Sequence, residues 1–188
     1  MIDYEKIIRK YCQDNTELQR IIIVHSRQVA DRALAILASH PDWVKSGDVD
    51  PVFVEEAAML HDIGVVLCDA PKINCLGTHA YIEHGYLGAE ILRKEGLPKH
   101  AAVAERHTGT GITMEQIMRE NLPIPLQDYS PRTLEEKLIC YADKFYSKTK
   151  LGQDKPISKI RQHLWKYGSD TVLCFDEMRA LFEPNLTI

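Results

Sequence analysis

The sequence predicts an all-α fold, a bundle of roughly seven to nine helices. Two observations carry this expectation. Apolar residues recur at three- and four-residue spacing over successive segments of helical length, most of them bounded by recognisable start and stop residues. Stretches that alternate apolar and polar residues, the mark of half-buried strands, are scarce.

The elements follow in order. A short helix is expected over 4–12, and a second from about 18 to 39, where Val24, His25, Val29, Ala33, Ile36 and Leu37 share helical spacing. Pro41 ends it, because proline cannot supply the next amide donor. Asp50-Pro51 reads as an N-cap followed by proline at the first helical position, opening a helix that runs to Gly64. Residues 65–77, with Pro71, Asn74 and Gly77, read as a loop, and Thr78 is expected to cap a helix reaching about Lys94, stopped by Gly96. Pro98 opens the next, through Ala101 to His107, with Gly109 and Gly111 behind it. Thr113 and Gln116 form a capping box for a short helix, and Thr133 and Glu136 form another for the helix carrying Leu138, Ala142, Asp143 and Phe145. Between them, 121–131 holds three prolines and reads as an irregular connection. The last two helices are expected over 156–167 and 171–182, separated by Gly168. No repeat and no long linker divides the chain. Residues 1–188 therefore read as one domain, with a core region at about 18–150 and C-terminal helices over 156–183 packing on it.

Composition narrows the function classes. A formal net charge of -4 argues against a dedicated nucleic-acid binder, which needs a basic face. It leaves room for a small phosphorylated ligand, because a metal site supplies positive charge locally. No apolar run approaches the ~20 residues of a membrane span. The five cysteines form no CxxC pair, so neither a disulfide framework nor a thiolate zinc site is favoured. A reduced, cytoplasmic protein is the expectation, and a homo-oligomer is compatible with it.

The chemistry resides in ionisable residues that fall on apolar stripes. His25 shares a face with Val29, Ala33 and Ile36. His61 shares one with Val54, Ala57 and Ala58, and Asp62 follows about 100° round the same helix. Asp143 lies between Tyr141-Ala142 and Phe145-Tyr146. One histidine on an apolar face is usually a satisfied core residue, and an aspartate near a helix end is usually a cap. Asp62, however, precedes Gly64 at a C-terminal end, where a carboxylate is electrostatically misplaced. Burying two carboxylates and two imidazoles unpaired costs several kcal/mol each, and a shared divalent cation removes that cost.

These residues resemble a known ligand set. His25, the pair His61-Asp62 within His61-Asp62-Ile63-Gly64, and the distal Asp143 are similar to the metal ligands of the HD-domain metal-dependent phosphohydrolase superfamily. Ala57-Ala58-Met59-Leu60 before the pair and Tyr141-Ala142-Asp143-Lys144 around the last ligand extend the match, which covers roughly residues 18–150. The resemblance implies an HD-domain helical bundle that binds one or two divalent ions (iron, manganese, nickel, cobalt, magnesium or zinc). It also implies hydrolysis of a phosphomonoester or phosphodiester, with a nucleotide as the expected substrate, by water acidified at the metal. Asp62 and Lys144 are the candidate catalytic residues, Asp62 by bridging ions or accepting a proton.

In the two-metal branch of that superfamily, two further histidines complete a second site. His84, in His84-Gly85-Tyr86, and His107, in Arg106-His107-Thr108-Gly109, match in order and context. Similar histidine-glycine and histidine-threonine segments occur in bacterial HD-type diadenosine-tetraphosphate hydrolases, so symmetrical cleavage of a dinucleoside polyphosphate is the narrower rival. The insert over 121–131 counts against it, and the segment over 105–146 is more similar to uncharacterised HDIG-domain proteins, for which no substrate follows. From another class, a metal- or nucleotide-binding sensor without turnover is the alternative; the complete ligand set disfavours it. Arg27, Arg106, Thr108 and Lys144 are the candidate substrate contacts. His40, His100 and His163 are expected at the surface, His79 as a pocket residue at most, and Asp69 and Cys75 on a loop suited to a lid.

Overall fold

The computed structural model describes residues 2–186. Ten α-helices and one two-stranded hairpin make up its regular structure. Asp3 and Asn15 cap α1 (Tyr4–Cys12) and α2 (Thr16–Ala38), each side chain accepting an amide hydrogen from the first turn. Helix α2 buries Leu18, Ile22, His25, Val29, Ala33 and Ile36 along one face, packed against α1, α4 and α8. Pro41 ends this helix and, at a first helical position, starts the short α3 (Pro41–Lys45). Asp50 caps α4 (Pro51–Leu60), again with proline behind the cap.

Three expectations shift here. Helix α4 closes at Leu60, with His61 as its C-cap, rather than at Gly64; the chain then tightens into a 3-10 turn over Ile63–Leu67. The 65–77 loop carries a small antiparallel hairpin, β1 (Asp69–Ala70) and β2 (Cys75–Leu76). Thr78 caps nothing. A 3-10 turn over Tyr81–Glu83 comes first, with the Glu83 carboxylate accepting from the Ala80 amide, and α5 (His84–Lys94) begins at His84 itself.

Helix α6 (Pro98–Arg106) ends on His107 as C-cap. The Thr113–Gln116 capping box forms as expected at α7 (Met114–Glu120). At α8 (Leu134–Asp143) only half of the expected box forms. Thr133 accepts from the Glu136 amide, whereas the Glu136 side chain takes the Arg132 amide and the Arg106 guanidinium. The helix stops at Asp143, so Phe145 lies beyond its end. Helices α9 (Ile157–Leu164) and α10 (Ser169–Phe182) close the bundle around Phe175, which packs on Tyr141 and Phe145.

One hydrophobic core draws buried residues from every helix except α3 and α7, and α3 packs Trp43 against it. A satellite cluster of Ile112, Ile117 and Tyr129 gathers Leu122 and Ile124 from the proline-rich insert and Ile82 and Tyr86 from around the start of α5. The insert is thus packed structure, and it builds a wall beside the ligand residues.

The closest backbone approach is at Gly64. A Cβ there would stand 2.0 Å from the carbonyl oxygen of His84 and 2.4 Å from the amide nitrogen of Gly88. The glycine of the His61-Asp62-Ile63-Gly64 string therefore lets α5 lie directly on the turn that follows Asp62. Gly64→Ala should cost about 3 kcal/mol of unfolding free energy, because backbone on both sides must move. Urea titration of the metal-free variant measures this, and a loss near zero would contradict the packing account.

Candidate metal centre

Four helix ends and the middle of a fifth helix meet at the centre of the bundle. His25 comes from the buried face of α2. His61 and His107 are the C-caps of α4 and α6, Asp62 follows the first of them, and Asp143 is the last residue of α8. His84 is the first residue of α5. His25, His61, Asp62, His84 and His107 are all buried, Asp62 with no exposed surface, and the Asp143 side chain keeps 14% of its own.

Backbone carbonyls set the imidazoles. His61 Nδ1 lies 2.6 Å from the Ala58 carbonyl, His84 Nδ1 2.6 Å from Tyr81, and His107 Nδ1 2.7 Å from Ala104. A carbonyl can only accept, so Nδ1 carries a proton in all three and Nε2 is the atom left to face inward. For His61 and His107 the acceptor is one of the last-turn carbonyls that a helix leaves unpaired.

The Nε2 atoms surround the two aspartates. Asp62 Oδ2 is 3.0 Å from both His25 Nε2 and His61 Nε2, and Asp143 Oδ1 is 3.0 Å from His25 Nε2 and 3.6 Å from His61 Nε2. On its other side, Asp62 Oδ1 lies 3.5 Å from His84 Nε2 and 3.4 Å from His107 Nε2. One ligand atom from each of His25, His61, Asp62 and Asp143 falls within 4.8 Å of the others, and the same holds for Asp62, His84 and His107. Yet His61 Nε2 and both Asp62 oxygens make no hydrogen bond of acceptable geometry. Atoms this close and this buried, but aimed at a common point rather than at one another, fit a divalent cation. A carboxylate at this depth costs several kcal/mol unless positive charge meets it.

Two lysines answer the carboxylates. Lys148 Nζ lies 2.6 Å from Asp62 Oδ2, and Lys144 Nζ 2.8 Å from Asp143 Oδ2 and 3.1 Å from the His107 carbonyl. Burial works against charge on Asp62 and Asp143, but the imidazoles and these ammonium groups outweigh it and hold both well below the usual carboxylate range. Burial likewise opposes charge on His61, but Asp62 and Asp143 overcome it and raise the imidazole to about 9. Burial and the neighbouring His107 push His84 down to about 3.

The cluster opens into a cavity of about 660 Å³. Thr108 and Lys144 line it, as expected of substrate contacts. Arg27 and Arg106 do not. Two residues past His25 on a helix is about 200° round, and Arg27 pairs instead with Glu55, Asp31 and the Tyr4 hydroxyl. Arg106, one step before His107, turns to Glu136. Two other expectations also change. His100 is buried against Glu56, and Cys75 is fully buried and so cannot serve as a lid side chain. His163 is exposed and also lines the cavity. His79 pairs with Glu83.

Lys148, Lys155 and Tyr81 also line the cavity, and sequence reasoning missed all three. They lie outside the regular helices, on 3-10 or irregular chain where no periodicity reports direction.

A family model for the HD domain matches residues 22–147. The chain belongs to the HD-domain family. HD domains bind divalent metals, and membership places the chain among metal-dependent phosphohydrolases in general. It is 35% identical over 170 residues to an uncharacterized protein of Methanocaldococcus jannaschii, covering 88% of each chain. It is 39% identical over 99 residues to a tRNA (cytidine(56)-2'-O)-methyltransferase of Picrophilus torridus, covering 52% of this chain and 25% of that one. The corresponding methyltransferase of Thermoplasma volcanium is 32% identical over 127 residues, 32% of its length. This chain thus spans a third or less of either methyltransferase. The crystal structure of the HD domain of the L. monocytogenes phosphodiesterase PgpH superposes with a TM-score of 0.52 at 18% identity over 95% of each chain, a likeness of fold. No helix among the described residues is long and apolar enough to cross a membrane.

Two predictions follow from the electrostatics of this HD site. In the metal-free protein, protonated His61 contributes stability in full below about 6.5, and that contribution disappears as pH rises through about 9. Melting temperature in chelator should therefore fall across that window, and saturating manganese should flatten the fall; a pH-independent melt contradicts it. Lys148 competes with any cation for Asp62 Oδ2. Lys148→Met should tighten manganese binding by about tenfold in calorimetry, and weaker binding would show that the ammonium supports the ion.

Proposed function

We propose that this HD domain hydrolyses a phosphomonoester or phosphodiester of a small molecule, with a nucleotide as the expected substrate. The observation that carries the reading is Asp62, a fully buried carboxylate whose two oxygens face two separate sets of imidazole nitrogens. His25, His61, Asp62 and Asp143 would hold one ion; Asp62, His84 and His107 would hold a second. Such ions supply Lewis acidity toward a phosphoryl oxygen and toward water.

The chain's own groups do the rest. Asp62, between the two sets, is the acceptor best placed for a proton from the attacking water. Lys144 and Lys148 point ammonium groups at the carboxylates that cations would neutralise. Once relieved of that pairing, they are free to meet the phosphate oxygens that gain charge as the bond to the leaving group stretches. Thr108 adds a hydroxyl. Ile82, Ile112, Leu122 and Tyr167 offer the organic part of the substrate an apolar wall, and the Tyr81 ring, stacked on His84 at 4.7 Å between centroids, offers a face for a base. The continuous core supports a single working domain over 1–188.

The test is hydrolysis of p-nitrophenyl phosphate by the manganese-loaded protein. Wild type should turn it over, and Asp62→Ala should lose at least about a thousandfold in kcat/KM. A folded, metal-loaded wild type inert toward aryl phosphates and nucleotides alike would make the chain a sensor module instead.

A further inference from the structure

We propose that the cavity contains a second anion subsite, formed by Lys155 and His163, and that the substrate is a bisphosphorylated small molecule. This rests on reading the cluster as the hydrolytic centre. One phosphate would sit there, and the other at Lys155.

The starting point is a difference between lysines that line one cavity. Lys144 and Lys148 are each matched to a carboxylate, Asp143 and Asp62. Lys155 is partly buried, yet its ammonium makes no hydrogen bond and no ion pair among the described residues. Its backbone is pinned, since the Lys155 amide donates to the Phe145 carbonyl at 2.7 Å and Pro156 follows directly. The cost of partial burial shows in its acidity, because burial draws the ammonium down to about 8.

His163, on α9, is exposed but lines the same cavity. Its ring nitrogens have no partner among the described residues, and partial desolvation together with Lys155, Lys166 and Lys144 disfavours its charged form. Two basic groups thus share a wall with no anion between them.

The charge balance points the same way. The lining carries Lys72, Lys144, Lys148 and Lys155 against the carboxylates of Asp143 and Glu120. Cations at the cluster would take over Asp143 and Asp62, leaving the lysines in surplus. A single phosphate at the cluster can answer Lys144 and Lys148. Lys155 feels the charge of Asp143, but neither it nor His163 is within ion-pair distance of a cluster carboxylate, which leaves both open to a second anionic group. Ile160 and Leu164 line the same cavity from α9, suited to the uncharged middle of such a molecule.

Calorimetry with manganese-loaded protein tests this, using α,ω-alkanediol bisphosphates from propane to octane and the matching alkyl monophosphates. At one chain length the bisphosphate should bind at least about tenfold more tightly than its monophosphate. Lys155→Met should reduce that preference to the roughly twofold expected statistically, His163→Gln should reduce it in part, and Lys155→Arg should restore it. No preference at any length in wild type, or a preference that survives Lys155→Met, overturns the proposal. The wild-type series needs no variant to fold. Because the readout is a ratio of affinities, failure here is distinct from failure of the hydrolytic reading, which is an inert wild type on p-nitrophenyl phosphate.

Discussion

A carboxylate is hard to bury at the negative end of a helix, and this protein buries two. Asp143 ends α8 and Asp62 follows the C-cap of α4, while the C-terminus of α6 faces the same point through His107. Unpaired carbonyls make each helix end partly negative. Three such ends and two carboxylates amount to a standing demand for positive charge. Imidazoles, lysine ammonium groups and divalent cations are the three ways of meeting it, and the bundle supplies the first two from its own chain.

The same carbonyls give the site its precision. By accepting Nδ1 protons from His61 and His107, they satisfy helix ends that would otherwise need capping and fix the tautomer that leaves Nε2 free. Helix termination and ligand orientation are therefore one interaction. Gly64 completes the arrangement by bringing α5, and with it His84, against the chain just after Asp62. A cavity with lysines on its walls then follows from the loop that leaves α8, since Lys144, Lys148 and Lys155 all come from the chain between α8 and α9.

Much of this was legible in the sequence, for an identifiable reason. His25 could be placed inward because its α2 neighbours at helical spacing are apolar, and His61, Asp62 and Asp143 because they interrupt apolar runs at helix ends. His84 and His107 needed the resemblance to a ligand pattern, since their immediate neighbours are mixed. Nearness in sequence is a poor guide to a substrate contact at Arg27 and Arg106, because the turn of a helix carries them to Glu55 and Glu136. Thr78 has the side chain of a cap, but the 3-10 turn ahead of His84 is held by Glu83. His100 gave no sign of its burial, because its partner Glu56 lies on a different helix. Lys148 and Lys155 sit where the backbone is irregular, so nothing in the order of residues reports that they face the cavity.

The central claim is that Asp62 joins two metal positions. Anomalous diffraction from crystals grown with manganese addresses it most directly. The account predicts two peaks about 3.5–4 Å apart, one on either side of the Asp62 carboxylate. Peaks confined to the protein surface, or an ion that leaves Asp62 uncoordinated, would contradict it.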